Sequence, residues 1–118
     1  MQEDEILEQY TKKEKIKEVV DLITLKQIIK TSHFYKRIIE RDIQEELIDK
    51  TLLSIEKIKL IDKRKHKKDI GYDLYYELSN SQTLKLCFIP LQDKTLLVNA
   101  ILRYRKWQSS IRLSSRRN

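Results

Sequence analysis

The chain has 118 residues, 36% of them charged, with a net charge of +7 and one each of cysteine, glycine and proline. That length fits one domain able to bury a core without disulfide or metal staples, and a lone Cys87 reads as a reduced thiol in an apolar strand. No apolar run reaches the length of a bilayer span, and the acidic first 21 residues lack the apolar stretch of a secretory signal, so a cytoplasmic protein with no membrane contact is expected.

Residues 1–21 carry seven acidic groups against four lysines, a net of −3 that leaves +10 for the rest of the chain. They read as an acidic N-terminal helical extension, since Ile6, Leu7, Tyr10, Ile16, Val19, Val20, Ile23 and Ile28 give an imperfect helical stripe over residues 3–30, breaking near Thr24. Ser32 is placed to cap a short helix over 33–41 in which Phe34 and Ile38 share a face. Asp42-Ile43-Gln44-Glu45 has the form of a capping box for a helix running to about Ser54.

From Lys57 the apolar period changes from about 3.6 to 2. Ile58 and Leu60 suggest a strand, and Lys63–Lys68 reads as a loop or exposed hairpin end. Ile70, Tyr72, Leu74, Tyr76 and Leu78 alternate with polar neighbours up to the turn residues Ser79-Asn80-Ser81-Gln82. Leu84, Leu86 and Phe88 continue to Pro90, and Leu96 to Tyr104 makes the last strand. Helices followed by hairpin-linked strands specify an α+β fold: N-terminal helices packed on one face of a small antiparallel β-sheet.

This register places Tyr72, Leu74, Tyr76, Leu84, Leu86, Phe88, Leu96, Val98, Ala100 and Leu102 under the helices. Asp73, Tyr75, Glu77, Lys85, Asn99, Arg103 and Arg105 then face the other way, where a ligand is expected. Asp73 and Glu77 would repel phosphate there unless Lys85 or Arg103 neutralises them.

The segment Ser32-His33-Phe34-Tyr35-Lys36-Arg37, running on to Glu40-Arg41-Asp42-Ile43, resembles an uncharacterised prokaryotic family of RelE-like domains within the RelE/ParE toxin superfamily. The stretches Gly71–Glu77 and Leu97–Lys106 agree with it, so the resemblance covers roughly residues 22–107, with 108–118 left as a basic tail. It implies the same α+β fold, two helices on a small antiparallel sheet. It also implies an RNA-directed activity: a toxin-type messenger-RNA endoribonuclease acting at the ribosome, metal-independent and without cofactor, partnered by RNA or the ribosome and a small acidic antitoxin. By that analogy Arg103 and Arg105 hold the phosphate, Tyr75 lies near the 2′-hydroxyl and Lys85 supports the developing charge.

His33, Arg37 and Arg41 form one helical row by their spacing, either gripping phosphate, with His33 as an acid–base group, or capping the sheet edge and pairing with carboxylates such as Glu40, Glu45 or Glu46. The remaining candidates for nucleic-acid contact are Lys63, Arg64, Lys65, Lys67, Lys68 and Arg112, whose clustered charge favours polyanions through counterion release. Two distant histidines and one cysteine offer no metal-ligand spacing or nucleophilic triad, and a single glycine cannot build a phosphate loop. A non-catalytic RNA- or ribosome-binding protein is the alternative, as is a ParE-like protein-interaction module docking through residues 3–20.

Overall fold

Period-two patterning dominates the molecule more than the sequence suggests. The computed structural model describes residues 4–112, in which six strands build a single sheet. The elements run β1 (Asp4–Tyr10), α1 (Lys13–Thr24), β2 (Ile28–Lys30), α2 (Ser32–Glu40), α3 (Glu45–Thr51), β3 (Ile58–His66), β4 (Asp69–Ser79), β5 (Gln82–Pro90) and β6 (Thr95–Arg103). Short 3-10 turns lie at Ile55–Lys57 and Trp107–Ser110. The sheet order is β1-β3-β4-β5-β6-β2, antiparallel throughout except where β2 runs parallel to β6. The expected α+β class therefore holds, with three helices and a larger sheet.

The N-terminal segment corrects the helical reading. Residues 4–10 form an edge strand on β3, with Glu5 opposite Lys65 and Glu8 opposite Lys63. Opposite charges facing each other across a strand pair stabilise it, so the acidity of this segment is what lets it cover the most basic strand. A bulge between Ile6 and Glu8 breaks the alternation, which is why its apolar residues imitate a helical stripe. Nor is α1 part of an appendage, because Ile16, Val19 and Ile23 belong to the common core. Of the proposed tail, residues 108–112 pack against the domain, and 113–118 lie outside the described residues.

The helix ends also differ from the sequence reading. Thr31, not Ser32, caps α2, its Oγ1 accepting from the Phe34 amide at 3.1 Å. Asp42 caps nothing: it adopts φ 54°, while the amides of Asp42 and Ile43 return to the carbonyls of Ile39 and Ile38. That is a Schellman ending, sealed by Ile43 and Ile38 in the core, and α3 starts only at Glu45. Asp42→Gly should relieve the left-handed strain and raise stability by about 0.5–1 kcal/mol, seen as a rise of a few degrees in melting temperature.

Phe34, Ile38, Ile48, Tyr72, Leu74, Tyr76, Leu84, Leu86, Phe88, Leu97 and Ala100 complete the core between helices and sheet. Leu97 takes the place expected of Leu96 and Val98. Cys87 faces Asn99 while Phe88 faces Leu97, so Val98 is an extra residue on β6. This bulge turns Leu97 into the core and leaves Val98 on the opposite face.

Among the described residues that opposite face carries no α-helix packed across it. After β6 the chain instead turns back across it towards β1. Thr83 Oγ1 donates to the Arg105 carbonyl at 2.9 Å, Gln9 Nε2 donates to the Ser110 carbonyl at 3.0 Å, and the Arg112 amide donates to Gln9 Oε1 at 2.8 Å. Beneath this crossing segment Leu60, Asp62 and Tyr75 are buried.

Candidate functional site

Beside the crossing segment, the same face opens into a cleft of about 580 Å³. Arg64 of β3, Gly71 and Asp73 of β4, Lys85 and Cys87 of β5, and Asn99 and Ile101 of β6 line it, and Thr31 and His33 at the start of α2 form its rim. Alternation puts Arg64, Asp73, Lys85 and Asn99 on one face, since Arg64 pairs with Gly71, Asp73 with Cys87 and Lys85 with Ile101. Gly71 keeps the wall low: a Cβ there would lie 3.2 Å from the Phe88 carbonyl oxygen.

The polar floor is a compensated charge cluster. Arg64 Nε bonds Asp73 Oδ2, and Lys85 Nζ lies 3.5 Å from the same oxygen. Arg64 also reaches Asp62 Oδ2 at 3.6 Å, and Lys85 stands 5.5 Å from the Tyr75 ring centroid. Burial opposes the charge on Arg64, but Asp73 and Asp62 outweigh it and push its pKa up. Burial, with Asp73 adding to it, holds the half-buried Cys87 thiol well above its usual range, so it stays a thiol and not a nucleophile.

Asp62 lies deeper, accepting from Gln9 Nε2 at 2.7 Å and from the Tyr75 hydroxyl at 2.8 Å. Burial raises its pKa, and Asp73 adds to the effect, although both hydrogen bonds act the other way. A carboxyl that binds its proton more readily folded than unfolded contributes stability that is full at low pH and lost as pH rises through the folded pKa. Denaturant titrations across the acidic range should therefore show Asp62→Asn removing a stability decline present in the wild type. Parallel pH profiles for the two proteins would contradict this.

The four proposed catalytic residues are only half assembled. Lys85 and Tyr75 meet, but Tyr75 is 2% exposed and its hydroxyl is committed to Asp62. Burial and the Asp62 carboxylate push its pKa up, which suits a structural donor and not a base. Arg103 lies opposite Thr83 at the end of β6, and Arg105 is exposed in the crossing segment; neither lines the cleft.

The helical row behaves as local pairs. Arg37 bonds Glu40 at 3.0 Å and donates to His33 Nε2 at 3.3 Å. Arg41 Nη1 donates to Asn99 Oδ1 at 2.7 Å and to the Ala100 carbonyl at 2.9 Å, so it pins β6. Lys63 lies 3.8 Å from Glu8, whereas Lys65, Lys67 and Lys68 are exposed around the β3–β4 turn and Arg112 is exposed beside β1. Sequence reasoning placed Arg64 in that loop and missed Asp62 and Gln9. The usable signal was Leu60, Asp62 and Arg64 recurring every second residue.

Among the described residues no cluster of histidine, cysteine or carboxylate side chains could hold a metal, and no helix is long and apolar enough to cross a membrane. No family model, curated protein or solved structure matches the chain.

Proposed function

We propose that the protein is an RNA-directed domain of the RelE-like type, and that the cleft takes the RNA backbone and cleaves it without metal. One observation carries this reading: two cations, Arg64 and Lys85, sit together on the cleft floor, adjoining a hairpin tip bearing Lys65, Lys67 and Lys68. Clustered cations that lead into a recess suit a phosphate chain better than a neutral ligand. Within the recess Lys85 and Arg64 would stabilise charge on the phosphate as the 2′-oxygen attacks phosphorus and the 5′-oxygen leaves. His33 at the rim would handle the protons: with its Nε2 released from Arg37 Nε, it takes one there from the 2′-hydroxyl and returns it to the leaving oxygen.

The observation favouring a non-catalytic RNA-binding protein is that Asp73 already compensates both cations and Tyr75 is covered. The deciding experiment incubates purified protein with single-stranded RNA, with and without ribosomes, in chelator. Cleavage leaving 2′,3′-cyclic phosphate ends is expected, slowed about 10²- to 10⁴-fold in His33→Ala. Folded protein that binds RNA but leaves it intact leaves only the binding reading. Failure to bind at low salt would defeat both.

A further inference from the structure

Strand alternation places Asn99 in the cleft wall beside the Val98 bulge, and Asn99 is unusually constrained there. Its Oδ1 accepts from Arg41 Nη1 at 2.7 Å and from the Ala100 amide at 2.9 Å. Both partners are pure donors, so the amide cannot be turned around without setting donor against donor. Arg41 is anchored in turn by the Ala100 carbonyl. What Asn99 has left is Nδ2, which has no partner among the described residues. The cleft wall thus presents a fixed, donor-only group. Beside it stand the apolar side chains of Val98 and Ile101, and the cations occupy the floor.

We infer that Asn99, oriented by Arg41, makes this cleft select a nucleobase that presents a carbonyl oxygen, as uracil does, over adenine. The inference rests on the RNA reading above. A free asparagine recognises adenine with both ends of its amide, Oδ1 accepting from N6 and Nδ2 donating to N7. With Oδ1 filled twice, that two-point pairing is lost, and the adenine amine meets no acceptor on Asn99. A carbonyl oxygen of uracil needs only the donor that remains. The phosphate would rest on Arg64 and Lys85, with the base against Val98 and Ile101. In this arrangement Arg41 is a positioning residue: it touches no ligand and works by holding one atom of Asn99.

The test uses the full chain and cleavage-resistant 2′-O-methyl oligouridylate and oligoadenylate, with affinity read by fluorescence anisotropy at low salt. The wild type should bind oligouridylate roughly three- to tenfold more tightly, the worth of one hydrogen bond. Asn99→Ala should bring the ratio to about one. Arg41→Met, which releases one of the two acceptor positions of Oδ1 while the Ala100 amide keeps the other, reopens the two-point pairing and should lower the ratio by improving oligoadenylate binding. A purely structural role for Arg41 would instead weaken both affinities together, and circular dichroism with thermal melting would show any loss of fold in either variant. Equal wild-type affinities, or a preference that survives Asn99→Ala, would overturn the inference while leaving RNA binding intact. Binding to neither oligomer would overturn the functional reading, and the selectivity with it.

Discussion

Replacing Asp73 with alanine is expected to cost about 3 kcal/mol of stability while tightening RNA binding. Asp73 is 4% exposed, and both Arg64 and Lys85 rest on its Oδ2. Removing it leaves two cations in a largely desolvated site with only the more distant Asp62 to balance Arg64. Breaking a buried pair in this way exacts the desolvation cost of what remains, which is much larger than the net worth of the pair. The same change frees two positive charges for phosphate. Urea denaturation and salt-dependent RNA binding should therefore move in opposite directions, which a merely structural carboxylate would not produce. Adding Lys85→Met to Asp73→Ala should recover part of the lost stability, because the two sites are coupled. A loss below about 1 kcal/mol would show that water compensates the cations instead.

Phe34→Ala should cost more, about 3–5 kcal/mol. The ring is fully buried under α2, a helix of nine residues, with Tyr35 edge-on at 5.3 Å. Its loss leaves a cavity between helix and sheet that so short an element, fixed by its Thr31 cap and by Ile38, has little freedom to close. Set against a typical stability of ~5–15 kcal/mol, that loss would leave little folded protein at elevated temperature. Phe34→Leu keeps most of the volume and should cost less than half as much. Because His33 and Thr31 flank Phe34 and line the cleft, RNA affinity should fall with the folded fraction.

The sequence made the middle strands legible because β4 and β5 pair in unbroken register from Tyr72–Phe88 to Glu77–Thr83, and Tyr72, Leu74, Tyr76, Leu84 and Leu86 all lie on the helix side as their spacing requires. Misreadings occurred where one residue changes the phase. The bulge near Leu7 made β1 resemble a helix, and the extra Val98 exchanged Leu96 for Leu97. Neither bulge carries glycine or another local marker. Within the cleft, Lys85 was readable from strand parity alone. Its alliance with Asp73 and Arg64 depends on register across three strands, which no local pattern encodes. Tyr75 was placed on the correct face, but its covering by the chain's return towards β1 is a contact between segments distant in sequence.

That return also sets the order in which the protein can be completed. Gln9 waits for Ser110, 101 positions later, and Ile28–Lys30 has no sheet partner until Thr95–Leu97 exists. A chain growing from the ribosome at roughly 5–20 residues per second would hold the N-terminal strand, α1 and β2 for several seconds before their final partners emerge. Helices and the β3–β4–β5 meander can form early from local contacts, whereas both sheet edges and the cover over Asp62 and Tyr75 close last. The cleft is thus finished only after β6 and the crossing segment have emerged, so the same late event that closes the sheet edges also completes the cleft wall.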